Sequence, residues 1–248
     1  MTPRRFLLLG ATSSIAVEVA RKLARDGNEL LLVARSEGRL LALQSDLSAR
    51  GASRVHVFVA DLDDMRLHAE ILAWARRCCP DFDTVLLAYG TMFDQNACEA
   101  CVELTVQQLY NNFVTPAALL TSLADYFARN RKGCIAVITS VAGDRGRLSN
   151  YVYGSAKGGL TVFLQGLRAR LGRSGVSVIT IKPGPVKTRM TDHMQRGRAF
   201  AEVDHVAGDI YRALNKREPG VLYTPWPWRY IMLLIRLIPE RLFRRLTL

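Results

Sequence analysis

Tyr153 and Lys157 stand four residues apart, and Ser140 precedes Tyr153 by thirteen. Residues four apart on a helix share one face, so an ammonium can lie beside a phenol. A free tyrosine ionises near pH ~10, and a neighbouring positive charge favours the phenolate, bringing the group toward proton exchange near neutrality. A serine hydroxyl beside that pair can donate a hydrogen bond to a carbonyl oxygen. The three side chains therefore suit proton transfer at an oxygen bonded to carbon. The tyrosine–lysine spacing is common on its own. It gains meaning from its place after a fifth strand-like run, downstream of a turn suited to a nucleotide.

That turn lies in "LLLGATSSIA", which joins a first strand to a first helix. Such a junction places backbone N–H groups and a helix N-terminus where a pyrophosphate can bind. Gly10, Ser14 and Ala16 stand where a GxxxGxG pattern has its three glycines, and only small residues permit that approach. The second strand ends in Ala34, Arg35 and Ser36. An acidic residue there would hydrogen-bond both ribose hydroxyls of NAD and repel a 2′-phosphate, whereas Arg35 attracts that phosphate. The expectation is NADP(H) in preference to NAD(H).

The elements that must position these groups are legible as apolar runs at 6–9, 29–33, 54–59, 84–88, 134–139, 176–181 and, more weakly, 220–223. Most are continuous rather than alternating, as strands of a parallel sheet are when helices cover both faces. They point to an α/β fold: a doubly wound, Rossmann-type parallel sheet of seven strands. Helices are expected from Ser13 or Ser14 to Gly27, over 36–50, as one long segment over 103–130, and over 154–173. No linker or internal repeat divides the chain. The reading is one catalytic domain over 1–224 with an appended tail over 225–248.

The length of 248 residues suffices for a full core, and 49% apolar with 23% charged residues excludes disordered and fibrous classes. No apolar stretch approaches the ~18–20 residues of a membrane-spanning helix. Thirty-four Lys and Arg against 22 Asp and Glu give a net charge of +12, which draws the chain toward phosphates or an anionic membrane. Zinc-finger spacing and arginine-rich blocks are missing, which argues against nucleic acid. Five cysteines make a poor disulfide framework and suit a reducing compartment, so a cytoplasmic location is expected. Cys98 and Cys101 form a CxxC without partners to complete a zinc site, so no metal is expected. Arg4 and Arg5 before an apolar run imitate a twin-arginine export signal, but the run ends at a glycine turn and charged residues follow. The tail carries Arg229, Arg236, Arg241, Arg244 and Arg245 against Glu240, among many apolar and aromatic residues, with Pro239 splitting any helix there. Such a segment can lie on an anionic membrane surface, cover a pocket or join subunits.

The sequence resembles the short-chain dehydrogenase/reductase family over nearly its whole length. The pieces are "GATSSIA", "ADL" at Asp61, "LAYG" ending at Gly90, Asn112, Ser140, "YGSAK" and "KPGPVKT". The resemblance implies an NAD(P)(H)-dependent oxidoreductase interconverting a ketone and a secondary alcohol. Tyr153 would be the acid/base, Lys157 would hold the nicotinamide ribose and assist Tyr153, Ser140 would orient substrate, and Asn112 would anchor a proton-relay water. Gly10, Thr12, Ser13, Ser14, Ile15, Arg35, Asp61, Gly90, Lys157, Val186 and Thr188 would contact the cofactor. Two positions depart from the family pattern: Ser14 and Ala16 replace later glycines of the turn, and "LAYG" replaces the usual NNAG. The family habit implies a homo-oligomer. "SNYVYGSAKGGL", "KPGPVKTRM" and the ending "WRYIMLLIRLIPERLFRRL" further resemble the decaprenylphosphoryl-2-keto-pentose reductases, which implies a keto sugar on a polyprenyl phosphate and a place at the inner face of the membrane. The residues themselves leave one alternative, a catalytically silent dinucleotide sensor or scaffold of the same fold.

Overall fold

The five inner apolar runs become strands because their leucine, isoleucine and valine side chains find helices to cover them, and the edge runs at 54–59 and 220–223 are only partly covered. A computed structural model describes residues 3–192 and 199–246. β1 (Arg5–Leu9) leads through α1 (Ser14–Arg25) to β2 (Glu29–Ala34), and α2 (Glu37–Ala49) leads on to β3 (Arg54–Val59). The chain crosses by α3 (His68–Cys78) to β4 (Thr84–Leu87), then by α4 (Gln95–Ala100), α5 (Val102–Leu109) and α6 (Thr115–Asn130) to β5 (Cys134–Ile138). α7 (Tyr151–Gly172) precedes β6 (Ser177–Pro183), and α8 (Val203–Lys216) precedes β7 (Gly220–Thr224). α9 (Trp228–Leu237) and α10 (Glu240–Phe243) follow in the tail.

The seven strands form one parallel sheet in the order β3-β2-β1-β4-β5-β6-β7. Within β1 the side chains alternate between two cores. Leu8 packs with Val19, Leu23, Ile210 and Leu214 on the α1 and α8 side. Leu7 and Leu9 pack with Leu120, Phe127, Leu160 and Leu164 on the α6 and α7 side. Leu9 lies opposite Val33 in β2 and Leu87 in β4, so the strand order reverses at β1. In open α/β sheets the crevice beyond the strand C-termini at such a reversal is where ligands bind.

The expected single helix over 103–130 is not continuous. A π-helical turn, Tyr110–Val114, separates α5 from α6 and turns Asn111 and Asn112 inward. The apolar pattern runs unbroken across the turn, so periodicity alone gives no break. Pro116 marks the restart, since a proline in a helix's first turn forfeits no hydrogen bond.

The tail is divided at Pro239 as expected, and it packs back on the domain. Met232 and Phe243 are buried. Arg145, from the loop after β5, gathers the last carbonyls of α9: its Nη1 donates to Ile235 O at 2.8 Å and to Ile238 O at 2.6 Å. Its Nη2 meets Glu240 at 3.0 Å, and its guanidinium lies 3.9 Å from the Phe243 ring centroid. A cation suits the negative end of a helix dipole.

Candidate active site

A cavity of about 570 Å³ opens along the C-terminal edge of the sheet. Its floor is where strands end: Gly10 after β1, Ala34 in β2, Ala88 after β4, Ile138 and Thr139 at the end of β5, and Pro183 in β6. Gly10 sits at φ +81°, and a Cβ there would lie 2.7 Å from the Tyr89 Cβ, so the turn demands glycine. Ser13 caps α1, accepting a hydrogen bond from Ala16 N at 3.3 Å. The first turn of α1 carries no acidic side chain, leaving its positive end open to an anion.

Thr12, Ser13, Ser14, Ile15, Arg35, Asp61, Gly90, Ser140, Tyr153, Lys157, Val186 and Thr188 all line this one cavity together with Gly10. Arg35 has company that the sequence reading missed. Arg39, one helical turn further along α2, donates to Thr12 O, and Arg189 follows Thr188. Burial, and after it the positive fields of Arg189 and Arg35, lower the affinity of Arg39 for its proton. Arg39 thus lies within the repulsive field of both other guanidiniums, an arrangement that an anion would relieve. Turn and helix end fit the pyrophosphate of a dinucleotide. The i, i+4 spacing of Arg35 and Arg39 at the start of a helix was the available signal.

Ser140 leaves the end of β5 and caps the short helix Val141–Asp144, accepting from Ala142 N at 3.1 Å. Its hydroxyl also lies close enough to Tyr153 to favour the phenolate, though less than burial opposes it. Burial thus pushes the Tyr153 phenol up to about 12. This corrects the expectation of a phenol drawn toward neutrality. The Lys157 ammonium does lie near, 5.7 Å from the ring centroid, but the dry surroundings favour the neutral phenol more strongly. The same burial brings Lys157 down to about 8.

Glycines fix Ser140 against α7. A Cβ on Gly143 would meet the backbone of Gly158 and Lys157 at 2.6 Å, and one on Gly154 would meet Ala142 O at 2.8 Å. The loop after β5 therefore rests directly on the α7 backbone. Gly143→Ala should cost ~1–3 kcal/mol of stability by overpacking. It should also lower turnover, because displaced catalytic groups lose orientation. Gly146→Ala, whose Cβ meets nothing within 4 Å, should leave both unchanged. Thermal melts and turnover of the two variants check this.

Asn112 stands apart from the rest of the expected set. It is fully buried and does not border the cavity. Its Nδ2 donates to Thr91 O at 2.9 Å and Gln108 O at 3.0 Å, and its Oδ1 accepts from Thr91 N at 3.2 Å. These bonds clamp the Gly90–Thr91 turn, and Gly90 leaves room for Lys157: a Cβ there would lie 3.1 Å from Lys157 Nζ. The sequence reading also missed Arg147 and Trp228, which line the cavity from the 140–153 segment and the tail. The Cys98–Cys101 pair sits at the α4–α5 junction, where Cys101 Sγ donates to Glu103 at 3.2 Å. No cluster of three metal-ligating side chains occurs among the described residues.

Residues 4–199 match the family model for short chain dehydrogenases. An uncharacterized oxidoreductase of Mycobacterium tuberculosis is 35% identical over 242 residues, covering 97% of this chain and 96% of the relative. Among solved structures, a short-chain dehydrogenase from Sphingobium yanoikuyae in complex with NADPH superposes with a TM-score of 0.81 at 24% identity, covering 96% of this chain and 97% of that one. An actinorhodin polyketide ketoreductase with NADPH gives 0.78 at 20% identity, covering 90% and 95%. With its cofactor-type turn, its parallel sheet and its Ser140–Tyr153–Lys157 cluster in one cavity, the chain belongs to the short chain dehydrogenase family of oxidoreductases.

Proposed function

We propose that the protein is an NADPH-preferring reductase that converts a ketone to a secondary alcohol. The observation that carries this reading is the meeting of Ser140, Tyr153 and Lys157 in the cavity that begins at the Gly10 turn. The Gly10–Ile15 turn and the first turn of α1 would hold the pyrophosphate. Asp61 would meet the adenine, the arginine cluster the 2′-phosphate, Gly90 and Lys157 the nicotinamide ribose, and Val186 and Thr188 the carboxamide. Bound there, the nicotinamide supplies a hydride to the carbonyl carbon. Ser140 holds the carbonyl oxygen, and Tyr153 O–H gives that oxygen its proton. A phenol raised to about 12 keeps its proton at neutral pH, the form that reduction needs. Lys157 then stabilises the phenolate left behind. Asn112, its side chain fully engaged, would hold a relay water through its main-chain carbonyl.

Arg35→Asp should lower NADPH affinity ~10–100-fold relative to NADH, as expected for losing charge-assisted hydrogen bonds to a phosphate. Fluorescence titration with both cofactors checks it. Equal affinities in the unmutated protein would remove the assigned preference.

The substrate class we assign is a keto sugar carried on a polyprenyl phosphate, supported by the tail. Trp228 borders the cavity and Met232 is buried, whereas Tyr230, Leu233, Leu234 and Leu237 recur at helical spacing on an exposed face beside Arg229 and Arg236. Such a face suits an anionic membrane interface on the cytoplasmic side. No helix among the described residues is long and apolar enough to cross a membrane. The protein should co-sediment with anionic vesicles at low salt, and a Leu234→Ser, Leu237→Ser variant should not. A wild-type protein that stays in the supernatant would reassign this face to subunit packing. Exposed Val102, Val106 and Val162 on α5 and α7 support a homo-oligomer. Assay of NADPH oxidation with soluble and lipid-linked keto sugars tests the function. Turnover of neither kind would overturn the substrate class.

A further inference from the structure

Four buried side-chain polar atoms lack a hydrogen-bond partner among the described residues, and two of them, Arg147 Nε and Asn150 Oδ1, belong to residues that line the cavity. The other two belong to guanidiniums that are otherwise engaged: Arg4 Nη2 donates to Leu214 O at 3.0 Å, and Arg217 Nη2 to Thr84 Oγ1 at 3.0 Å. Among the described residues Arg147 makes no such bond. Burial lowers its affinity for its proton, and the charge of Asp144 opposes that; the Asp144 oxygens are taken by Lys182 and, at 2.8 Å, by the Tyr223 hydroxyl. Asn150 precedes α7 but its side chain makes no capping bond there. A donor and an acceptor are thus left unsatisfied in the wall between Ser140 and Tyr153. Buried polar groups are seldom left so unless water or a ligand completes them, and two such groups in the wall of one substrate cavity suit a ligand.

We infer that Arg147 and Asn150 are specificity residues that read an oxyanion and a hydroxyl on the ketone substrate. This deepens the reductase reading and rests on it. A guanidinium stays charged even when burial lowers its proton affinity, and its planar set of donors matches phosphate or carboxylate oxygens. The arginine cluster of Arg35, Arg39 and Arg189 is associated with the cofactor turn through the Arg39–Thr12 bond. Arg147 lies instead in the segment that carries Ser140 and Tyr153, so it serves the molecule being reduced. Asn150 Oδ1 accepts from a hydroxyl of that molecule. A neutral, unsubstituted ketone would leave both groups unpaired, and that penalty discriminates against it.

The test compares four ketones at saturating NADPH: dihydroxyacetone phosphate, hydroxypyruvate, dihydroxyacetone and cyclohexanone. In the wild type, one of the two anionic hydroxy ketones should exceed dihydroxyacetone at least ~10-fold in kcat/KM, and which one it is identifies the oxyanion. Arg147→Met should lower kcat/KM for that anionic ketone ~10–100-fold, with little change for the neutral ones or for NADPH affinity. Arg147→Lys should recover part of the loss. Asn150→Ala should lower dihydroxyacetone relative to cyclohexanone. If Arg147→Met lowers all four equally, or weakens NADPH binding, Arg147 serves the fold or the cofactor and the inference is wrong. Should none of the four be reduced, phosphorus NMR of inorganic phosphate added to the NADPH-loaded protein separates the two readings. Phosphate bound by the wild type and lost in Arg147→Met upholds the oxyanion site, and the reductase reading is then decided separately by the lipid-linked keto sugars. Equal binding by both, or binding by neither, overturns the site itself.

Discussion

Tyr153→Phe should lose ~10²–10⁴-fold in turnover while NADPH binding and fold persist. The substitution keeps the ring, so the Lys157 ammonium retains its aromatic neighbour at 5.7 Å. It removes the phenolic O–H that shares the cavity wall with Ser140. Ser140 cannot replace it, since an unactivated hydroxyl is a far weaker acid than a phenol. Stopped-flow turnover and cofactor titration on the same preparation separate the two effects. A variant turning over near the wild-type rate would remove Tyr153 from its role as proton donor.

Lys157→Met should abolish most turnover and weaken cofactor binding, yet make the protein more stable. Lys157 is 3% exposed, and burial alone lowers it from 10.5 to about 8. Holding the charged form there at neutral pH costs on the order of 3 kcal/mol, because each unit of depression is worth about 1.4 kcal/mol. Methionine fills a similar volume without that cost, so a gain of roughly 1–3 kcal/mol is expected after imperfect packing. The sign can be checked against pH. Between about 8 and 10.5 the unfolded chain still holds this proton and the folded chain has released it, so wild-type stability gains from this group as pH rises through that window. The variant lacks that contribution. Activity runs the other way: the ammonium is present below about pH 8 and lost above it, so kcat/KM for reduction should fall as pH rises past that point. Denaturant melts and pH–rate profiles of both proteins measure these trends.

The sheet was legible because its strands are buried on both faces, so runs such as 30–33 and 134–138 are apolar without alternation. The meeting of Ser140, Tyr153 and Lys157 in one cavity was legible because their spacing belongs to one helix and the strand before it. The π turn at Tyr110–Val114 was not, since an extra residue in a helical turn leaves the apolar pattern nearly unchanged. Arg39, Arg147, Arg189 and Trp228 reach the cavity through tertiary packing, and a surface arginine and a pocket arginine look alike in a sequence as basic as this one. The Tyr153 proton affinity was misjudged for a related reason: spacing reports the neighbouring charge and says nothing of burial, and burial dominates. Glycines were informative once contacts were known. Gly143, Gly154 and Gly158 are where the 141–144 turn touches α7, which explains why the tyrosine–lysine pair is set among small residues.

The central claim is that this cavity transfers hydride to a carbonyl carbon while Tyr153 protonates the oxygen. Single-turnover reaction of the protein with NADPH deuterated at the nicotinamide C4, followed by mass spectrometry of the alcohol, tests it directly. One deuterium on the carbinol carbon with a single stereochemistry is expected in the wild type, and none above background in Tyr153→Phe on the same timescale. Tight cofactor binding with no deuterium transferred to any soluble or lipid-linked keto sugar would contradict it and favour a silent dinucleotide sensor.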